Sequence, residues 1–433
     1  MFVELSAPLL VSLIAEPLTG LADTAFVARL GAAHLAGLGV GAAVLSSVFW
    51  VFNFLGIGTQ TEVARSQGSR DHERASLANA QALALSGLLG VVLGLFAWFY
   101  VDPLVILMGA DGDIAAAATD YITVRLFGAP AVLLTVAAFG TLRGLQDMRT
   151  PMWIAGGLNA VNLVLDPVLI FGWGPVPALG VAGAAAASVV AQWLGALAAV
   201  AVILRRIGLP AHINFSQLGG LLSTGGELFI RTASLNLFLL LTTRSATEMG
   251  ADSGAAHQAI RQVWAFTALF LDAFAIAGQS LVAYFMGAGN ITESRRVAKV
   301  VCQWSLGCGV FLSAGMLLST ELTARALVPA TSHAVFYQAW IIAALSQPVN
   351  ALSFGTDGVH WGTGDFRYLR NAVIIATTAG IIGLTFVDET LPSALYDLWV
   401  VTAVWILIRA GFGVLRIWPG LGNAPLRQVR ATQ

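Results

Sequence analysis

The chain has 433 residues, of which 57% are hydrophobic and only 10% are charged, and its formal net charge is −1. Soluble domains carry about 25% charged residues, so this composition excludes an ordinary soluble protein and indicates a protein of the lipid bilayer. The near-zero net charge provides no basic surface for nucleic acid, so we expect no nucleic-acid partner.

Long apolar runs cover most of the chain. A helix that crosses a bilayer needs about 20 mostly apolar residues. Twelve such runs are bounded by charged stretches or by stretches rich in Gly and Pro, at 3–28, 35–62, 77–100, 116–140, 151–172, 180–204, 217–247, 255–286, 297–319, 331–355, 370–387 and 394–416. We therefore predict an all-α integral membrane protein with twelve transmembrane helices.

The basic residues predict the orientation, because cytoplasmic loops of membrane proteins are enriched in Lys and Arg. With the N-terminus inside, the inner loops hold sixteen of the 22 basic residues, and Arg409 is counted among them. The outer loops hold Arg29, Arg244 and Arg325, and the last three basic residues fall inside predicted spans. We predict a multi-pass protein of the bacterial inner (plasma) membrane with both termini in the cytoplasm.

The two halves of the chain repeat each other. Leu30-Gly-Ala-Ala-His-Leu-Ala36 follows the first span, and Ser253-Gly-Ala-Ala-His-Gln-Ala259 follows the seventh. Arg143-Gly-Leu-Gln-Asp-Met-Arg149 follows the fourth span, and Trp361-Gly-Thr-Gly-Asp-Phe-Arg367 follows the tenth. Six spans return a chain to its starting side, so the two copies share one orientation in the membrane.

We expect two pseudo-symmetric six-helix bundles around a central cleft. The predicted boundaries are an N-terminal bundle at 1–207, a cytoplasmic linker at 208–216, a C-terminal bundle at 217–420 and a cytoplasmic tail at 421–433. Two parallel repeats that meet at the membrane midplane are typical of transport by alternating access.

The first predicted helix contains two acids, although ionisable groups inside a bilayer are costly. Glu16 and Asp23 are seven residues apart, nearly two helical turns, so they share a face with Thr19 between them. Pro8 and Pro17 interrupt the same helix, and each removes a backbone hydrogen bond. The sequence predicts titratable groups on a helix that can bend.

Further polar groups lie one turn apart on neighbouring spans. Asn162 and Asp166 share a face of the fifth span, and Tyr121 and Arg125 share a face of the fourth. Asp23 and Asp166 both lie toward the outer ends of their helices, so we predict that they line one outward-facing chamber. The alternative places Asp23 in the lipid headgroup region, without a function.

The second half has its own buried charges. Arg231, Asp272 and Asp357 fall inside predicted spans, together with Arg261 and Gln279. Intramembrane ionisable residues are typical of functional sites. A structural ion pair, in which Arg231 balances an acid, is an equally good interpretation.

The sequence lacks the residue patterns of nucleotide-binding, metal-binding and catalytic sites. Lys299 is the single lysine, and it is not part of a P-loop motif. The two cysteines and six histidines do not have the spacing of metal ligands. No nucleophile is paired with a base at a spacing typical of catalysis. We therefore predict a protein that is not an enzyme and that uses no metal or cofactor.

Four segments in order resemble one family of transporters. Glu16-Pro-Leu-Thr-Gly-Leu-Ala-Asp-Thr-Ala-Phe-Val27 is similar to the first-helix signature of the multidrug and toxic compound extrusion (MATE) family. Leu158-Asn-Ala-Val-Asn-Leu-Val-Leu-Asp-Pro167 resembles its fifth helix. Leu271-Asp-Ala-Phe-Ala-Ile-Ala277, and Asp357-Gly358 ahead of Gly362-Thr-Gly-Asp365, are similar to its DNA-damage-inducible protein F (DinF) branch.

The resemblance implies a twelve-helix antiporter that exports amphipathic, often cationic drugs or toxic compounds, driven by inward flow of protons or sodium. It implies that Asp23 and Asp166 are the coupling acids, that Tyr121 and Asn162 are their polar partners, and that Pro8 is the bending proline. The second-lobe sodium-site acid that is typical of the NorM branch has no clear counterpart on the seventh span, where Arg231 appears instead. This difference favours protons, although Asp23 and Asp166 could also bind sodium.

Two further possibilities keep the fold and change the cargo: a flippase for lipid-linked precursors, or an exporter of small organic acids. A basic cavity would favour an anionic cargo, but only Arg125, Arg231 and Arg261 are available to line one. In every case the expected partners are a small amphipathic molecule and the lipid bilayer, and we expect a monomer.

Overall fold

A computed structural model describes residues 2–210 and 218–427. Among these residues, helices account for almost all regular structure, and no strand is present beyond an isolated bridge between Trp173 and Val176. Residues 211–216 of the predicted linker and 428–433 of the predicted tail lie outside the described residues.

The chain divides into two compact units, Val3–Gly225 and a second that begins at Gly226. The helices up to the predicted linker are α1 (Phe2–Val27), α2 (Ala32–Val51), α3 (Phe54–Gly68), α4 (His72–Leu107), α5 (Gly112–Leu126), α6 (Ala129–Gly144), α7 (Arg149–Phe171) and α8 (Val181–Ile207). Those after it are α9 (Leu218–Glu248), α10 (Ala251–Gly287), α11 (Ile291–Leu318), α12 (Thr320–Leu327), α13 (His333–Leu345), α14 (Gln347–Thr363), α15 (Phe366–Leu384) and α16 (Ala394–Ile417).

Each of the twelve predicted spans coincides with one helix or with a pair of consecutive helices. Eight helical spans among the described residues are long and apolar enough to cross a bilayer, and the bent pair α5–α6 makes a ninth. The remaining three spans are α9, the α13–α14 pair and α15, and the first two contain the charged residues Arg231 and Asp357. The architecture is consistent with twelve transmembrane segments and additional short helices.

Three predicted spans are broken, which hydropathy does not reveal. The second span consists of α2 and α3, the fourth of α5 and α6 with a bend of 54°, and the tenth of α13 and α14. Pro130 and Pro348 lie in the first turns of α6 and α14. A proline lacks the N–H that would continue the preceding helix, so each helix ends and a new one begins there.

Equivalent helices cross closely in both units. A Cβ atom added to Gly140 of α6 would lie 2.5 Å from the carbonyl oxygen of Gly56, and one added to Gly358 of α14 would collide with the carbonyl oxygen of Ala275. One turn later, a Cβ on Gly362 would lie 2.7 Å from the carbonyl oxygen of Gln279. Glycine permits this backbone contact, and its recurrence at matching positions supports the internal repeat.

A second repeated feature is an ion pair near the predicted cytoplasmic end of each unit. Arg206 Nη1 lies 2.7 Å from Asp147 Oδ2, and Arg416 Nε lies 2.7 Å from Asp365 Oδ2. Burial raises the pKa of Asp147, but hydrogen bonds from Thr150 and the charge of Arg206 outweigh burial and hold that pKa below its usual value. The turn before α7 is thereby fixed to the end of α8, and the turn before α15 to the end of α16.

The close crossing of α14 and α10 predicts a large cost for any side chain at Gly358. We expect Gly358→Val to destabilise the protein by about 1–3 kcal/mol or more, because the helices must separate to admit the side chain. Thermal unfolding of the purified protein measures this loss. Gly307→Ala is the matched control, since a Cβ there meets no atom within 4 Å, and we expect it to be neutral or slightly stabilising. Equal melting temperatures for both variants would contradict the prediction.

Candidate functional site

The first unit contains a buried cluster of two acids and an amide. Asp23 of α1 is 7% exposed, Asn162 of α7 is 2% exposed, and Asp166 of α7 is fully buried. Asn162 and Asp166 are one turn apart, so both point to the same side of α7. The structure thus places Asp23, Asn162 and Asp166 together, and we call Asp23 and Asp166 the acid pair.

Asn162 connects the acid pair. In one orientation of its amide, Nδ2 lies 3.3 Å from Asp166 Oδ1 and 3.4 Å from the hydroxyl oxygen of Ser188. With the amide rotated by 180°, its nitrogen donates to Asp23 Oδ1 at 3.1 Å and its oxygen accepts from the backbone N–H of Ser188 at 3.2 Å. Either acid can therefore receive a hydrogen bond from the same amide group.

Both carboxyl groups of the acid pair lie against the amide of Asn162, so they are close neighbours and their charges interact. Two ionised carboxylates in a buried site repel each other strongly, and a shared proton removes this repulsion. Asp166 Oδ2 is buried and receives no hydrogen bond from an N–H or O–H of the described residues, so it is available to hold that proton. The arrangement can bind and release protons as a coupled pair.

Arg125 supplies positive charge near Asp23 without neutralising it directly. Its charge acts on Asp23, but its Nη1 atom donates to Gln192 Oε1 at 2.6 Å. The role of Tyr121 as a polar partner of the acids, which the family resemblance implies, stays a prediction. Tyr121 is buried in an apolar cluster with Val27 and Ile170, and among residues 2–210 no hydrogen bond joins it to either carboxyl group.

Helix α1 continues through both of its prolines, Pro8 and Pro17. The hydroxyl group of Thr19 donates to the carbonyl oxygen of Ala15 at 3.1 Å, so it bonds within its own helix. The side chain of Glu16 lies outside the described side chains. In its most apolar stretch α1 is 19% buried, close to the 22% of α7.

The second unit contains a buried charge cluster on three helices. Arg231 of α9 and Arg409 of α16 both bond to Oδ2 of Asp357 in α14, the latter at 3.1 Å. All three residues are more than nine-tenths buried. The predicted contact between Arg231 and an acid is thus present, and Asp272 lies half-buried in α10.

The assignment of Arg409 to a cytoplasmic loop is wrong. Arg409 lies inside α16, eight residues before its end at Ile417. Asp357 supplies the counter-charge that permits this burial, and the ring of Trp405 covers the guanidinium group at 4.7 Å. Arg409 lies inside the predicted span 394–416, and this position already indicated that it should not be counted with the loop residues.

Residues 8–168 and 228–385 each match the MatE family model, in two segments whose starts lie 220 residues apart. The chain belongs to the MATE family. The paired matches confirm the internal repeat, and family membership confirms that this protein is a transporter and not an enzyme.

Relatives of this MATE protein occur in plants and bacteria. Protein DETOXIFICATION 44, chloroplastic, of Arabidopsis thaliana is 30% identical over 98% of this chain and 84% of its own length. DNA damage-inducible protein F of Escherichia coli strain K12 is 27% identical over 96% of this chain and 91% of its own. A crystal structure of MATE in the bent conformation has a TM-score of 0.88 at 22% identity, covering 96% and 94% of the two chains.

Two residues near the acid pair of this MATE protein were not predicted from the sequence. Ser188 and Gln192 lie in α8, where they contact Asn162 and Arg125. Polar residues one turn apart in an otherwise apolar helix were the available signal. Among the described residues, no group of three or more His, Cys, Asp or Glu side chains could hold a metal ion.

Proposed function

We propose that this MATE protein exports amphipathic, often cationic compounds in exchange for protons. The observation that carries the proposal is that the carboxyl groups of Asp23 and Asp166 are both buried and both lie within hydrogen-bonding distance of the Asn162 amide. A buried carboxyl pair that can share a proton changes its charge when a second proton arrives or leaves. That change of charge is what a proton-driven antiporter requires.

The proposed cycle begins with proton uptake at the acid pair from the outer side. The second proton removes the remaining negative charge of the acid pair, and α1 then bends near Pro8 or Pro17 and repacks. The repacked helix weakens substrate binding, and by reciprocal linkage bound substrate weakens proton binding.

Sodium coupling is the alternative to proton coupling. The acid pair and the Asn162 carbonyl oxygen are hard oxygen ligands that sodium accepts, so the first unit suits either ion. In the second unit the Asp357 carboxylate already bonds to two guanidinium groups. Two fixed positive charges at this carboxylate oppose the binding of a cation, which favours one coupling site per molecule.

An exporter of small organic acids with the same fold is the second candidate function. The observation that favours it is the presence of two buried arginines, Arg231 and Arg409, beside a single buried acid. A flippase for lipid-linked precursors remains a hypothesis from the sequence. For the native setting we propose a monomer in the bacterial inner membrane with both termini in the cytoplasm, on the basis of the arginine distribution.

Reconstitution into liposomes tests the coupling ion. We expect that a proton gradient imposed alone, directed opposite to the movement of ethidium, increases ethidium transport. The reason is that the acid pair releases substrate when it is protonated. A sodium gradient imposed at equal pH should leave ethidium movement at the level of liposomes without protein. Ethidium fluorescence in the two conditions is the measurement. Transport driven by sodium alone would contradict proton coupling, and transport of citrate-sized organic anions in place of ethidium would favour the second candidate.

A further inference from the structure

The charge cluster of the second unit contains more positive than negative charge. Arg231 and Arg409 share one oxygen atom, Oδ2 of Asp357, and the charge that acts on Arg409 besides that of Asp357 is the repulsive charge of Arg231. One carboxylate balances one guanidinium group. A second guanidinium at the same depth is costly unless another negative charge accompanies it.

Both guanidinium groups also have hydrogen-bond capacity to spare. A guanidinium group carries five N–H donors in one plane. The Nε atoms of Arg231 and Arg409 are buried, and neither has an acceptor among the described residues. Buried donors of charged groups are almost always paired, so these two atoms are available to an acceptor outside the protein, either a water molecule or a bound anion.

Aromatic rings restrict where that acceptor can bind. The ring of Trp361 lies 5.3 Å from the guanidinium carbon of Arg231, and the ring of Trp405 lies 4.7 Å from that of Arg409. Because the rings cover the faces of the guanidinium groups, a ligand can approach along the edges where the N–H groups point. This arrangement suits a small anion and excludes a bulky one.

We propose that the second unit binds one monovalent anion, chloride or a small carboxylate, between Arg231 and Arg409. The anion supplies the missing negative charge and accepts hydrogen bonds from the free donors of the two arginines. Asp357 holds the guanidinium groups in place through its Oδ2 atom. The site is separate from the acid pair of the first unit and does not depend on the coupling ion.

Anion titration of the purified full-length protein in detergent tests the site. We expect the melting temperature to rise and saturate when chloride or acetate replaces gluconate, a bulkier anion, at constant ionic strength. Saturation by chloride identifies a resident ion, whereas saturation by acetate with competition from chloride identifies a site for the carboxylate of a cargo. A melting temperature that responds to neither anion would overturn the proposal.

Two variants make the test specific. Arg231→Gln leaves Asp357 and Arg409 as a balanced pair, so this variant should fold and lose the anion-dependent shift. Arg244→Gln is the matched control on the same helix, because the Arg244 side chain is 71% exposed, and it should keep the full shift. A shift that persists in Arg231→Gln overturns the proposal. The proposal is also overturned if the native protein shows no anion-dependent shift of the melting temperature and Asp272→Asn shows one. That result would mean that Asp272 itself supplies the second negative charge of the cluster.

Discussion

Replacing Asp23 by Asn is expected to abolish substrate-evoked proton movement while leaving the protein folded. Asn has nearly the same shape as Asp but cannot carry a proton, so the pair with Asp166 no longer changes charge in two steps. The substitution also removes one of two like charges in a buried site, so the melting temperature should stay the same or rise. A pH-sensitive dye inside proteoliposomes, read after ethidium is added, measures the proton movement.

Asp113→Asn is the matched control for this experiment. Asp113 is an exposed acid in the first turn of α5, so its loss should leave both proton movement and stability unchanged. Asp166→Asn should behave as Asp23→Asn does, because the proton is shared by the two groups. Full antiport by Asp23→Asn would refute the assignment of the coupling site, since a single Asp166 would then suffice.

Replacing Asp357 by Asn is expected to destabilise the second unit strongly. The variant leaves the guanidinium groups of Arg231 and Arg409 buried without a counter-charge. Removing one partner from a buried ion pair typically costs about 3–5 kcal/mol, because the remaining charge is desolvated and unpaired. The loss should appear as a lower melting temperature of the purified protein in a gluconate buffer, where no small anion compensates the arginines.

The control for this prediction is Asp388→Asn in the exposed loop between α15 and α16. In the described structure the Asp388 side chain accepts hydrogen bonds only from the nearby Thr390, and we expect a change within about 0.5 kcal/mol for such a surface substitution. If Asp357→Asn proved as stable as the control, the charge cluster would not hold α9, α14 and α16 together. The arginines would then have other partners.

The spans were predictable because the bilayer imposes a simple rule on sequence. Every backbone polar group in hydrocarbon must be bonded internally, so long apolar runs become helices whatever their neighbours are. The breaks within spans were less visible. Pro130 and Pro348 mark two of them, but Pro8, Pro17 and Pro167 lie inside helices that continue, so proline alone does not predict where a span breaks.

The chemistry of the sites was only partly predictable. Asn162 and Asp166 are one turn apart on one helix, a relation that helical geometry fixes in advance. Their meeting with Asp23, more than a hundred residues earlier in the chain, was an expectation drawn from depth in the membrane and from family resemblance. The outward-facing chamber that the acid pair was expected to line, and the role of the pair in coupling, stay predictions.

The sequence by itself determined the bilayer as solvent, the positions of the helices, the internal repeat and the family, because each depends on local composition or on residues in fixed order. Only the tertiary structure decided which buried charges meet. Arg409 and Asp357 are separated by 52 residues and Arg231 and Asp357 by 126. Their positions inside predicted spans indicate that these charges are buried, but nothing local indicates which acid each arginine bonds to. Partners so distant are selected by helix packing, which brings α9, α14 and α16 together at one depth.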